Sequence, residues 1–306
     1  MKPQERSIQR IGLVGLGLIG RERLRAATAN GLTVVGGVDV QATPATLDNS
    51  IELVPTVDEL LEREPHLITV AVPHDIAGAI AIRCLEAGAN VLIEKPLGRT
   101  LDEGSAIAAA QQRPGQLTVG FNYRFFAGVR ELIEDVRAGS FGVLTKVSIT
   151  LGHGGSPGDE KTWKLDRRRA GGGCLIDPGV HALDLLLQIL GPDLRAHSLA
   201  TWSGFWGTGI EEEARATLVT PEGTLAALDI SIVRWRSEFR LEVHGTDGYG
   251  VVTGRGRSYG VQEYRRGRRW GWRDAGQPQC ETEEAVSTDD CSTSFVDELR
   301  DVIDGA

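Results

Sequence analysis

The sequence predicts an α/β half followed by an α+β half, and three observations predict it. Between residues 11 and 120 short apolar strands alternate with helical patterns, as they do when a parallel sheet is covered on both faces. Beyond residue 140 strand patterns follow one another through tight turns instead, as antiparallel strands do. The chain, at 306 residues, is also longer than a single core usually supports. The boundary is placed after Asn122, giving domains 1–122 and 123–306.

In the first half, Ile11 to Val14 is a strand, Arg21 to Asn30 a helix closed by Gly31, and Leu32 to Val38 a second strand. Asp58 to Arg63 is helical, Leu67 to Val72 a strand, Asp75 to Gly88 a helix, Asn90 to Ile93 a strand and Leu101 to Gln112 a helix, with Leu117 to Gly120 a further strand. In the second half, Val129 to Val136 is an amphipathic helix and Val143 to Thr150 a strand. His153 to Arg169 is a long loop rich in glycine and charge, and loops of that length in compact enzymes are usually functional. Pro178 marks a helix start with Asp177 at its N-cap, since proline's missing N–H costs nothing in the first turn. Val180, Leu183, Leu187 and Leu190 give that helix its apolar stripe until Gly191-Pro192 ends it. Ala214 to Val219, Leu225 to Val233 and Phe239 to Val243 are strands, with turns at Pro221-Glu-Gly223 and Gly245 to Gly248. Ser294 to Ile303 is helical.

A charge of −9 argues against a general nucleic-acid binder and against a polybasic membrane surface. Met1 to Arg10 lacks the apolar core of a secretory signal, and no apolar run approaches the roughly 18 residues that span a bilayer. Cys84, Cys174, Cys280 and Cys291 form no C-x-x-C pair, so no zinc site or disulfide framework is expected, and reduced thiols fit a cytoplasmic protein. Arginines interleave with Tyr259, Tyr264, Trp270 and Trp272 between Gly254 and Arg273, a pattern that suits single-stranded nucleic acid, but a sheet edge is the preferred reading in so acidic a chain.

Two glycine clusters carry the chemistry. Gly15-x-Gly17-x-x-Gly20 stands between a strand and a helix: the first glycine makes the turn, the second lets a pyrophosphate approach, and the third packs the helix closely. Leu18 and Ile19, between the second and third glycines, belong to the same dinucleotide site. Asp39 closes the second strand, where a carboxylate meets the adenosine ribose and repels a 2′-phosphate, so NAD is expected over NADP. Three more strand ends carry marked loops that should face the cofactor: Val72-Pro73-His74, Glu94-Lys95-Pro96 and Phe121-Asn122-Tyr123-Arg124-Phe125. Lys95 is placed to polarise a reacting oxygen. In the second cluster, Gly171 to Gly173 allows close approach of something, a ligand being one candidate, and Asp177, His181 and Asp184 stack on one helix edge. A helix cap and a hydrogen-bonded core histidine are the structural alternatives for Asp177 and His181.

Together, Gly15-x-Gly17-x-x-Gly20, Glu94-Lys95-Pro96 and Gly171-Gly-Gly-x-x-x-Asp177-x-x-x-His181-x-x-Asp184 resemble the glucose-fructose oxidoreductase, inositol dehydrogenase and MocA family. The resemblance implies a Rossmann domain followed by a domain built on a large open, mostly antiparallel sheet, and redox chemistry at a hydroxyl or ketone of a sugar, polyol, uronate or nucleotide sugar. It makes Lys95 the lysine bonded to the reacting oxygen, Asp177 the aspartate that positions substrate, His181 the acid/base, and Asn122 a neighbour of the nicotinamide. His74 and Ala77 depart from the family's Asn and His after the proline, and relatives commonly continue past Ala306 into a segment that returns to the first domain.

Substrate contacts are expected from Lys95, Arg124, Trp163, Asp177 and His181, with Trp163 as a stacking surface and Arg167 to Arg169 as an anion clamp or a solvated charged stretch. The clamp makes an anionic sugar slightly the more attractive. One open sheet face calls for a partner copy, so a homodimer or homotetramer is expected. Two rivals share the sequence features: an NAD-dependent glycoside hydrolase that oxidises a sugar transiently, and a non-catalytic NAD sensor.

Overall fold

The computed structural model describes residues 8–42, 51–270, 283–289 and 291–305. Met1 to Ser7, Cys280 and the stretch Gly271 to Arg273, all named above, lie outside the described residues. The chain divides into two compact units: residues 1–122, 168–171 and 295–306, and residues 123–167 and 172–294.

The first unit is a five-stranded parallel sheet of order β2-β1-β3-β4-β5. Its strands are β1 (Arg10–Val14), β2 (Thr33–Val38), β3 (Leu67–Val70), β4 (Asn90–Glu94) and β5 (Leu117–Gly120). The helices between them are α1 (Leu18–Ala29), α2 (Val57–Leu61), α3 (His74–Glu86) and α4 (Leu101–Ala109). Strand neighbours alternate between the two faces. Ile11, Leu67 and Leu92 join Ala26 and Ala27 of α1, while Ile68, Val70, Val91 and Ile93 join Ala81 and Leu85 of α3. Strands buried on both faces read as continuous apolar runs, which is why they were visible in the sequence. Thr56 and Thr100 cap α2 and α4 by accepting from the backbone N–H of Glu59 and Glu103, a device worth about 1 kcal/mol each.

Two expectations for this unit need correction. Helix α1 starts at Leu18, not Arg21, because Arg21 already donates its N–H to Gly17 O at 3.0 Å and the first turn begins at the glycine loop. The boundary of 123–306 does not hold for the terminal helix, whose residues 295–306 group with the first unit. Leu299 is fully buried beside Ile8, Ile11 and Ala26, a burial worth about 1.5–3 kcal/mol.

The second unit is an eight-stranded sheet of order β13-β12-β11-β10-β6-β9-β8-β7. Its strands are β6 (Leu144–Gly152), β7 (Arg195–Trp202), β8 (Glu213–Val219), β9 (Leu225–Ser231), β10 (Glu238–Gly245), β11 (Gly248–Thr253), β12 (Gln262–Arg268) and β13 (Glu284–Asp289). Among the described residues, β6–β9 is the one parallel pair of this sheet. Helices α5 (Ala127–Arg137) and α7 (Gly179–Leu190) cover one face, and α6 (Arg167–Ala170) is a single turn between them in sequence. Phe239, Leu241 and Val243 of β10 point into that core, while Arg240, Glu242 and His244 alternate onto the other face. The terminal helix is α8 (Ser294–Asp304).

Here too the structure departs from the sequence reading. β12 is not an edge, because β13 pairs outside it, and Tyr264 is fully buried with its hydroxyl donating to Asp135 at 2.5 Å. The aromatic and arginine interleaving is therefore structural at Tyr264, and Arg255 stacks on Tyr259 at 3.7 Å. In α7 the buried face is Ala182, Leu185, Leu186 and Ile189, whereas Leu183 and Leu187 of the expected stripe are exposed. No helix among the described residues is long and apolar enough to cross a membrane.

Candidate active site

The dinucleotide turn is built as its glycines require. Gly15 has φ +88°, and a Cβ there would lie 2.3 Å from Ala71 O. A Cβ on Gly20 would lie 1.9 Å from Gly15 O, so helix and turn could not close on each other. Gly17 is different: it has an ordinary φ of −67°, and a Cβ there would meet no protein atom within 4 Å. Gly17 caps α1, a helix with no side-chain cap and no acidic residue in its first turn, so its N-terminal dipole is uncompensated. Leu18 is 68% exposed and Ile19 lies beside it at the same surface. An open glycine, bare helix amides and exposed apolar residues together fit a bound pyrophosphate dinucleotide.

Asp39 follows β2. Its Oδ2 accepts the Leu16 N–H at 2.7 Å, and its Oδ1 accepts those of Gln41 and Ala42 at 2.7 and 2.9 Å. Partial burial would raise its pKa, but these three donors and the nearby Arg21 outweigh it and hold the carboxyl below its ordinary value. The group is an anion fixed to the glycine turn, with one of its four lone-pair sites, on Oδ2, left for a ribose hydroxyl. Val72 and Pro73 follow β3, Lys95 follows β4 and Asn122 follows β5, so the expected cofactor residues share one edge of this sheet. Lys95 is half-buried and its bond to Pro96 is cis.

Glu94, an expected cofactor contact, is engaged by protein. Its carboxylate accepts from Arg23 Nε at 2.7 Å and lies 2.6 Å from the terminal guanidinium nitrogen, while Arg23 also bonds Glu298 of α8 at 2.5 Å. Arg23 is fully buried and lies over the Phe295 ring at 4.8 Å. Burial alone would lower its pKa, and the two carboxylates reverse that and keep it charged. Removing one partner from such a group costs about 3–5 kcal/mol, so Arg23 fixes the strand end that carries Lys95. An arginine within an amphipathic helix gave no sign of this in the sequence.

In the second unit, His181 is 6% exposed in the first turn of α7 and stacks flat on Tyr123, with ring centroids 3.9 Å apart and planes at 5°. Burial pushes the Tyr123 hydroxyl pKa up, so it stays neutral. Arg124, expected to hold substrate, grips Asp184 with two bonds, Nε to Oδ2 at 2.7 Å and the terminal nitrogen to Oδ1. Adjacent residues 123 and 124 thereby hold both polar groups on one side of α7. Asp177 is not the N-cap. Pro178 occupies that position, and the turn before it is already closed by Asp177 N–H to Gly173 O at 3.0 Å and Gly179 N–H to Cys174 O at 2.8 Å. Those amides are satisfied by backbone, and Lys164 approaches the Asp177 carboxylate at 3.8 Å.

The close approach that the glycine run permits is made by protein. A Cβ on Gly173 would sit 1.9 Å from Glu211 O, and Glu211 Oε1 accepts the N–H groups of Gly173 and Leu175 at 2.8 and 3.3 Å. Next to it, the fully buried Glu212 accepts from Gly204, Phe205 and Trp206 at 2.7–2.9 Å and ties down their loop. Asp177 and Trp163 open on a cavity of about 340 Å³, whose walls also include His153, Asp159, Lys164 and Trp206. The arginine triplet is not among its lining residues: Arg169 pairs with Asp75 at 3.0 Å, and the Arg168 carbonyl accepts from Arg99. His153, Glu211, Glu212 and Trp206 were not singled out from sequence.

Comparison with known proteins accords with this geometry. Residues 9–121 match the family described as oxidoreductase family, NAD-binding Rossmann fold, and residues 127–250 match the GFO/IDH/MocA C-terminal domain. The 1,5-anhydro-D-fructose reductase of Ensifer adhaerens is 27% identical over 254 residues, 79% of this chain and 74% of that protein. The rhizopine catabolism protein MocA of Rhizobium meliloti is 31% identical over 201 residues, 63% of this chain and 60% of that one. The fold is shared with KijD10, a 3-ketoreductase from Actinomadura kijaniata solved with NADP and TDP-benzene, at TM-score 0.79 and 20% identity over 97% of this chain and 90% of that one. The chain belongs to the Gfo/Idh/MocA family of NAD(P)-dependent oxidoreductases, with a Rossmann unit for the dinucleotide and an open, mostly antiparallel sheet in the second unit.

Proposed function

We propose that this protein is an NAD-preferring dehydrogenase acting on a CH–OH carbon of a sugar or polyol, with His181 as acid/base. The observation that carries this is the flat stack of a buried His181 on Tyr123, which holds one imidazole in one place, as proton transfer at a fixed substrate oxygen requires. The dinucleotide, when bound, supplies the nicotinamide carbon that exchanges a hydride with the substrate carbon. His181 takes the hydroxyl proton in oxidation and returns it in reduction. Lys95 stabilises negative charge developing on the same oxygen, and Asp177 orients the substrate. The anionic Asp39 supports NAD over NADP, because a 2′-phosphate would meet a carboxylate that its backbone donors keep ionised.

The test is steady-state turnover of purified protein with NAD and a sugar panel. His181→Ala should lose about 10²- to 10⁴-fold in kcat while NADH binding, followed by its fluorescence, is retained. Unchanged turnover would refute the role of His181. A copy-to-copy interface on the open sheet face belongs to the same proposal: Trp202 of β7, which pairs with Glu213 on that face, is 53% exposed, so sedimentation should give a dimer or tetramer and not a monomer.

A further inference from the structure

We infer that the cavity beside Asp177 seats the non-reacting end of an uncharged sugar ring and discriminates against the carboxylate of a uronate and the phosphates of a nucleotide sugar. This rests on the dehydrogenase reading and narrows its substrate class.

Size comes first. The cavity's 340 Å³ lies at the low end of the roughly 300–1,000 Å³ usual for small-molecule sites, which suits a single sugar and not a sugar with a nucleotide attached. Surface chemistry is the second argument. Two indole rings, Trp163 and Trp206, offer apolar faces for the C–H side of a pyranose, and the carboxylates of Asp159 and Asp177 accept hydroxyl hydrogens.

Charge is the third. The lining holds two carboxylates and one ammonium, Lys164, which already faces Asp177 at 3.8 Å. Burial holds His153 below the usual imidazole pKa, and Lys164 and Arg255 push the same way against Asp177 and Asp159, so the ring adds no positive charge at neutral pH. Its Nδ1 accepts the Gly155 N–H at 3.1 Å, which leaves Nε2 carrying the proton as a donor. Over the lining residues alone an anionic ligand would thus meet a net negative charge, with Arg255 lying outside the lining. The arginines that favoured an anionic sugar in the sequence are not among the lining residues.

The site is also built rather than incidental. Trp206 hangs on the loop that Glu212 anchors by three backbone bonds. Its ring presses on Gly155, where a Cβ would lie 2.6 Å from Trp206 Cζ2.

The experiment compares a neutral pyranose, the uronate differing only at its carboxylate, and the corresponding nucleotide sugar, in turnover with NAD and in direct calorimetric binding to the NADH-loaded protein. We expect kcat/KM at least about tenfold higher for the neutral sugar than for the uronate. Trp206→Leu should raise KM about tenfold for the neutral sugar and lower kcat by less, with Trp206→Phe recovering part of the loss. Asp159→Asn should narrow the neutral-to-uronate ratio. Preference for the uronate or nucleotide sugar, or a KM indifferent to Trp206→Leu, overturns the inference. Neutral-sugar binding that is lost in Trp206→Leu, in a protein that turns over no sugar, would keep the subsite and remove the dehydrogenase reading; binding of no neutral sugar would remove the subsite.

Discussion

Two glycine clusters, Gly15 to Gly20 and Gly171 to Gly173, look alike on the page and are used in opposite ways. At the first, two glycines are packed against backbone and the middle one, Gly17, faces no protein atom within 4 Å. At the second, Gly173 is pressed on the Glu211 carbonyl, and the ligand-sized space lies beside it, next to Asp177. Missing side chains thus leave open space in one case and admit another segment of the same chain in the other. Only the neighbouring atoms distinguish them.

Substitutions can break that contrast. The largest effect belongs to Gly173→Ala, whose methyl meets immovable backbone at 1.9 Å; it should cost about 3 kcal/mol or more, read as a fall in Tm. Gly17→Ala should leave Tm nearly unchanged, since neither its φ nor its surroundings resist a methyl, and should weaken NAD by about tenfold or more in a direct binding measurement. If Gly17→Ala binds NAD normally, or Gly173→Ala is as stable as the parent, the contrast fails.

The smallest effect is expected at Asp39→Asn, about 1 kcal/mol of stability with a reduced preference for NAD over NADP. Its pH dependence has a defined sign. Because the folded carboxyl lies below its ordinary value, its contribution is present above about pH 4, the usual carboxylate value, and is lost as pH falls through the depressed folded value. Denaturant titrations of parent and Asp39→Asn should therefore converge at low pH, and a constant gap would contradict the assignment.

How much of this could be read from the sequence depended on whether a feature was local. The glycine turn and the βα alternation were legible because each is a short-range pattern, and the strands of the parallel sheet are apolar on both faces. β7 was missed because every residue from Arg195 to Trp202 is exposed, so no alternation marks it. The buried face of α7 was misjudged because Val180, Leu183, Leu185, Leu186, Leu187 and Leu190 ring the helix, and periodicity cannot choose among them. Glu212 was invisible for a different reason. It stands between two other glutamates, and its burial follows from a loop folding back onto it. Arg124 was legible as a marked residue but its partner, Asp184, was 60 positions away.

The most direct test of the central claim follows the hydrogen itself. A sugar labelled with deuterium at the reacting carbon is incubated with the protein and NAD, and the label is located by mass spectrometry. The account predicts deuterium on the nicotinamide of released NADH, formed far more slowly in His181→Ala. Deuterium found only in the sugar or lost to water, or transferred at the parental rate in His181→Ala, would contradict it.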